Sequence, residues 1–219
     1  MPIPPPHRPK PVAQKPSKTT FAEAWHFYWW LWKLEQRRRQ TLPGTLLFIA
    51  LIGLLVGLLK KRNLLPSTAL PVIFWISYLF TLFQAIPKSL LDISPESWRW
   101  LQVLVPPLGA AGGLIGYAFS WGVGLWGIWW GVGVVLWGYR PEPLSVITAG
   151  SLGLVVGLTA FLAALARLSY ATAHVLALPL VLMPLLLILF RGDALIENLL
   201  YLGAALTLSG VLLPFLWEG

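Results

Sequence analysis

The sequence predicts an all-α, polytopic membrane protein, and three observations carry that prediction. Of 219 residues, 57% are hydrophobic and only 11% are charged, roughly half the charged share of an ordinary globular domain. The apolar residues fall in blocks close to the ~20 residues that cross an apolar core of ~30 Å. The basic residues crowd at one end: 8 of the 16 Lys and Arg lie in the first 40 positions, directly before the first apolar block. Basic segments are retained on the cytoplasmic side of a membrane. The net charge of +8 therefore fits membrane orientation. No nucleic-acid-binding motif accompanies it, and no nucleic-acid partner is expected.

Residues 1–19, "MPIPPPHRPKPVAQKPSKT", read by composition as a disordered, Pro/Lys-rich cytoplasmic tail. They have no apolar centre of the signal-peptide kind, so the first span is expected to direct insertion. Thr20 and Glu23 form a capping-box pattern that opens a helix over 20–40. Phe21, Trp25, Tyr28, Trp29 and Trp32 recur at helical spacing, with Glu23, His26 and Lys33 opposite and Arg37, Arg38 and Arg39 at the end. That pattern suits an interfacial amphipathic helix in the headgroup region. Packing of the stripe on the protein's own helices accounts for it equally well.

Six spans follow, at about 43–59, 69–86, 112–137, 144–166, 173–190 and 197–216. The third is the least regular, because "PPLGAAGGLIGYAF" (106–119) is Gly-rich enough to form a separate short membrane entry. With the N-terminus inside, Arg8, Lys10, Lys15, Lys18, Lys33, Arg37, Arg38, Arg39, Lys88, Arg99 and Arg167 are cytoplasmic. Lys60, Lys61, Arg62, Arg140 and Arg191 are then outside. This excess favours both termini in the cytoplasm. Small residues recur at four-residue spacing, as Gly53 and Gly57, Gly112 and Gly116, Gly127 and Gly131, Gly153 and Gly157. Such pairs let helices approach closely, within one chain or between copies.

The chain offers little chemistry of its own. It has no cysteine, so disulfides, thiolate metal sites and thiol nucleophiles are excluded. No phosphate-binding Gly-rich loop of the nucleotide-hydrolase kind is present. Glu23, Glu35, Asp92, Glu96, Glu142, Asp193, Glu197 and Glu218 are all the acidic residues, and each falls at a span end or in a loop, unlike the carboxylate of a proton relay. His174 with Arg167 is the nearest thing to an intramembrane polar pair, and it reads as interfacial. The Trp-rich run "WGVGLWGIWWGVGVVLWG" (121–138) faintly resembles the haem-handling signature of cytochrome c assembly proteins. It lacks an acidic residue and a nearby histidine, so an aromatic belt and helix packing explain it with less. No catalytic residue, metal ligand or cofactor is expected; the chain reads as a non-catalytic membrane subunit.

Four segments taken in order carry a wider resemblance: "LEQRRRQTLPGTLLFI", "FWISYLFTLFQAIPKSLLD", "LALPLVLMPLLLILF" and the ending "LLPFLWEG". From about Leu34 to the C-terminus, the chain resembles the CcmB family, the haem exporter protein B permeases of cytochrome c maturation. The chain departs from the family at Ile86 and Pro87, where many members have an acidic–basic pair, and in its Gly-rich 106–120 segment. The resemblance implies an ABC-2-like permease domain over 20–219 that pairs with a separate CcmA-like ATPase, usually as two copies of each. It also implies CcmC-, CcmD- and CcmE-like partners, with ATP hydrolysis driving release of the haem-loaded chaperone at the outer face of the cytoplasmic membrane.

Under that resemblance, the polar interruption between spans 2 and 3 is the ATPase-coupling segment, with Lys88, Asp92, Ser94, Glu96, Trp98 and Arg99 as candidate residues. The residues themselves favour a short helix: Ser94 can cap it, Pro95 suits its first position and Glu96 favours the positive end of its dipole. Asp92 and Glu96 are candidates for basic partners, and Trp98 for an apolar anchor, while Trp98 and Trp100 direct apolar bulk to a partner or the membrane surface. An ordinary interfacial turn is the plainer reading of the same residues. Two other function classes stay open, an ABC-2-type exporter of a lipid or glycan and a structural anchor subunit of a respiratory complex.

Overall fold

A computed structural model of the chain describes residues 20–38, 41–165, 175, 177–179, 181 and 195–218. Among them, every regular element is helical. In order these are α1 (Thr20–Arg38), α2 (Thr41–Lys61), a 3-10 turn (Ser67–Ala69), α3 (Leu70–Leu91), α4 (Pro95–Leu104), α5 (Pro107–Val132), a π-helical turn (Gly133–Trp137), α6 (Ser145–Leu165) and α7 (Leu195–Glu218). Among the described residues, four stretches are long and apolar enough to cross a membrane: Leu42–Lys61, Ser67–Lys88, Pro107–Trp137 and Ser145–Ala164. They match the first four expected spans. The fifth, 173–190, lies largely outside the described residues. The sixth falls on α7, whose 24 residues measure about 36 Å at 1.5 Å each.

The third span is one helix. Pro106 caps α5 and Pro107 opens it, and the π turn continues the same rod through Trp137. The Gly-rich start does not form a separate entry, because its glycines are covered by α1. A Cβ at Gly112 would meet Ala24, and at Gly113 it would meet the Ala24 carbonyl at 2.8 Å and Phe27. Tyr28 covers Gly116. Glycine costs helix stability in water, but here it lets two helices touch at backbone distance.

The centre of the molecule is α3, α5 and α6. Phe74, Tyr78, Leu82, Ile86 and Leu90 form the inner face of α3, all fully buried. α6 is apolar all round and is buried from Thr148 to Gly157, as a helix of that composition must be. It runs antiparallel to α5: Gly122 packs on Ala149, and Gly153 packs between the Ala118 carbonyl and Gly122. α7 packs on both α5 and α6. α2 lies at the periphery, exposing Leu47, Leu51, Leu54 and Leu58, with Gly53 and Gly57 facing Val132 and Leu136.

Several polar groups inside this bundle are satisfied by neighbouring helices, as hydrocarbon favours, although the Trp32 and Trp121 indoles and the Thr148 hydroxyl are buried without a hydrogen-bond partner among the described residues. The Tyr78 hydroxyl donates to the Ala149 carbonyl at 2.8 Å and lies 3.2 Å from that of Gly122. The Trp129 indole donates to Thr81 Oγ1 at 2.9 Å, and that of Trp137 to the Gly53 carbonyl at 2.8 Å. Trp126 donates to Ser145 Oγ at 2.9 Å. The Trp-rich run thus works as a set of struts from α5 to α2, α3 and the start of α6. Three of the four small-residue pairs also sit at helix contacts; Gly127 and Gly131 face open space.

α1 has one buried side and one exposed side. Its buried face is Phe27, Leu31 and Glu35, at 2–3% exposure, whereas Phe21, Trp25 and Trp29 are exposed. The helix lies parallel to the first half of α5, with Trp32 stacked on Trp121 at 5.3 Å between ring centroids. Packing on the protein's own helices, rather than on headgroups alone, therefore accounts for much of its sequence. The aromatic stripe is thus divided: Phe21, Trp25 and Trp29 are exposed, while Tyr28 and Trp32 are half-buried beside α5. Against glycine-lined α5, the side that fits is the one carrying Ala24 and Phe27.

Candidate functional site

The segment joining α3 to α5 is a polar interruption tied to the described bundle by buried side chains. Pro87 is tolerated near the end of α3, and the helix stops at Asp92, whose N–H reaches back to the Lys88 and Leu90 carbonyls. Ile93 is buried and pins the turn. Ser94 then takes an extended conformation, and its Oγ accepts from the Ser97 N–H at 3.2 Å. This is the N-cap that the sequence indicated, with Pro95 in the first turn and Glu96 at the positive end of the dipole. The result is a ten-residue helix, α4, rather than a plain turn.

The two faces of α4 differ sharply. Trp98 is only 6% exposed and meets Phe161 of α6 edge to face, at 5.5 Å and 78°. Leu101 is buried on the same side. Glu96 and Arg99 are exposed, as are Asp92 and Ser94 before them. Trp100, Val103 and Leu104 continue the outer face at 68–79% exposure. The outer face is therefore charged at its start and apolar at its end. Lys88 is half-buried on the last turn of α3.

Five of the six expected residues thus reach the surface in one place, and one does not. Trp98 is corrected from an outward anchor to an inward one: its ring is committed to Phe161, so it presents no apolar surface to a partner. In the sequence Trp98 shares a helical row with Leu101, and Trp100 shares one with Val103 and Leu104, so both sides of the helix read as apolar.

Sequence reasoning also missed Glu35. It was assigned to a span end, yet it is 2% exposed. Phe27, Leu31 and Glu35 stand at four-residue intervals, and that row is the signal that places the carboxylate on the inner side of α1. Arg167, His174 and Asp193 lie outside the described residues, and with them the expected polar pair.

No protein-family model, curated protein or solved structure matches the chain.

Proposed function

We propose that the chain is the permease subunit of an ABC-type complex of cytochrome c maturation, with α4 as the element that receives force from a separate ATPase. The observation that supports this most is the construction of α4. It is a capped helix between two membrane-length helices, locked inward by Trp98 on Phe161, with Asp92, Glu96 and Arg99 exposed. A coupling element must be rigidly joined to the helices it moves while offering charged groups to a groove on its partner. A loop tethered only at its ends would yield instead of transmitting.

In this reading both termini and α4 are cytoplasmic, six helices cross the cytoplasmic membrane, and two copies work with two ATPase subunits. Haem-handling partners then act at the outer face, and the permease itself carries no catalytic residue or cofactor. The test is co-purification with a CcmA-like ATPase. Glu96→Lys and Arg99→Glu should leave the protein at normal level in the membrane and weaken ATPase recovery about tenfold, roughly 1.4 kcal/mol. Undiminished recovery with both variants would remove α4 from the interface. An exporter of a lipid or glycan would also hold an ATPase, so holocytochrome c production is the second readout. If it is normal in a strain lacking the protein, the cytochrome c assignment fails.

A further inference from the structure

Between α1 and the α4–α5 junction lies a groove of about 320 Å³, at the small end of the range for ligand sites. Phe27 and Trp30 form one wall, and Leu101, Leu104, Val105 and Pro106 form the other. Glu23 and His26 supply its polar part. We propose that this groove holds one acyl chain of a phospholipid taken from the surrounding bilayer, and that this lipid sets the angle between α4 and α5.

Three observations lead there. Apart from Glu23 and His26 the walls are apolar, so away from those two residues an ordered water would lack the two to four polar partners it needs. Left empty, the walls would forfeit their dispersion contacts on one side. The groove is also continuous with surface that a bilayer covers. Leu104 both lines it and is 72% exposed, and Trp100, Val103 and Leu108 extend the same exposed apolar face at 62–79%. On the α1 side, Trp25 and Trp29 are exposed beside the wall residues. Exposed apolar area this extensive, in a chain with four membrane-length helices, belongs against lipid tails. Finally, the polar part lies within the same groove. His26, exposed at this polar part, offers a donor to a headgroup, which gives a lipid a reason to stay rather than exchange freely.

The groove also sits at a joint. Val105 is extended and Pro106 caps α5, so the backbone changes direction where the chain would lie.

Native mass spectrometry of the full chain, purified in mild detergent with a bacterial phospholipid mixture, tests this. We expect one phospholipid to survive stepwise delipidation. Val105→Trp fills the groove and should lower its retention about tenfold, equivalent to 1.4 kcal/mol; Leu54→Trp, on the exposed face of α2, should not. Because the chain has no cysteine, Leu104→Cys can carry a bimane fluorophore. Its quenching by a brominated-chain phospholipid should saturate near one lipid per protein, and should become linear when Val105→Trp is added. No retained lipid, retention unchanged by Val105→Trp, or linear quenching in the parent would each overturn the proposal. So would lipid retention that appears only when residues 1–19 are removed, because the tail would then be the occupant.

Discussion

Trp98 of α4 and Phe161 of α6 meet edge to face, with ring centroids 5.5 Å apart and planes at 78°. This contact ties the short helix between α3 and α5 to a helix more than sixty positions away in sequence. It changes what mutation of Trp98 should do. Trp98→Ala removes a buried ring and leaves a cavity, a change that costs about 3–5 kcal/mol in protein cores. The expected outcome is a protein with lowered thermal stability and lowered membrane level, whereas Trp98→Phe keeps the aromatic pair and most of the stability. Thermal unfolding followed by size-exclusion chromatography checks both. A stable, abundant Trp98→Ala variant would show that the contact holds little.

The α5–α6 seam depends on backbone approach. A Cβ at Gly122 would lie 2.5 Å from the Ala149 carbonyl oxygen, and one at Gly153 would lie 2.5 Å from that of Ala118. Both obstacles are main chain and cannot rotate away. Gly122→Ala and Gly153→Ala should each destabilise the protein by about 1–3 kcal/mol, the usual cost of overpacking. Gly127→Ala meets nothing within 4 Å and should be neutral or slightly stabilising, since alanine is the better helix former. The three melting temperatures, measured side by side, decide the matter.

The π turn is closed by two contacts from α2. Lys60 Nζ donates to the Trp137 carbonyl, and the Trp137 indole donates to the Gly53 carbonyl. Gly138 follows with φ +59, a left-handed conformation costly for a residue with a Cβ. Gly138→Ala should therefore cost about 1 kcal/mol. Lys60→Met, which leaves the carbonyl without its cation, should cost a similar amount and raise hydrogen exchange at residues 137–139. Exchange unchanged in Lys60→Met would mean that the lysine does not hold the turn.

Orientation can be read with added cysteines, given the absence of native ones. Pro66, Glu142 and Ser94 are all exposed, so access is set by the membrane rather than by burial. Pro66→Cys and Glu142→Cys should react with an impermeant thiol reagent applied to sealed cells. Ser94→Cys should react only after the cells are opened. Labelling of Ser94→Cys from outside would reverse the proposed orientation.

How much of this was legible without the fold depends on the kind of residue. Ser94, Pro95 and Glu96 announced α4 because a helix start is a local event, settled by a side chain and the next few N–H groups. The exposure of Glu96 and Arg99 followed from their charge. Trp98 and Trp100, two positions apart, were not separable by composition, since both are equally apolar. Only the position of Phe161 decides which one turns inward. The faces of α1 pose the same difficulty. In a membrane, lipid is as apolar as a neighbouring helix, so Trp25 and Trp29 toward the exposed side and Phe27 toward Gly113 look alike in a hydropathy pattern.

By itself, the sequence determined that the chain is helical and that its apolar blocks are long enough to cross a bilayer. It also placed one capped polar helix between the second and third of them. These properties rest on local propensity, capping and block length, which need no partner. Tertiary structure alone decided that Trp98 faces α6, that the Trp-rich run serves as interhelical struts, and that α1 lies in the glycine track of α5. Each of those depends on shape and on hydrogen-bond partners brought together from distant segments, and burial free energy cannot distinguish such partners from lipid before the helices have packed.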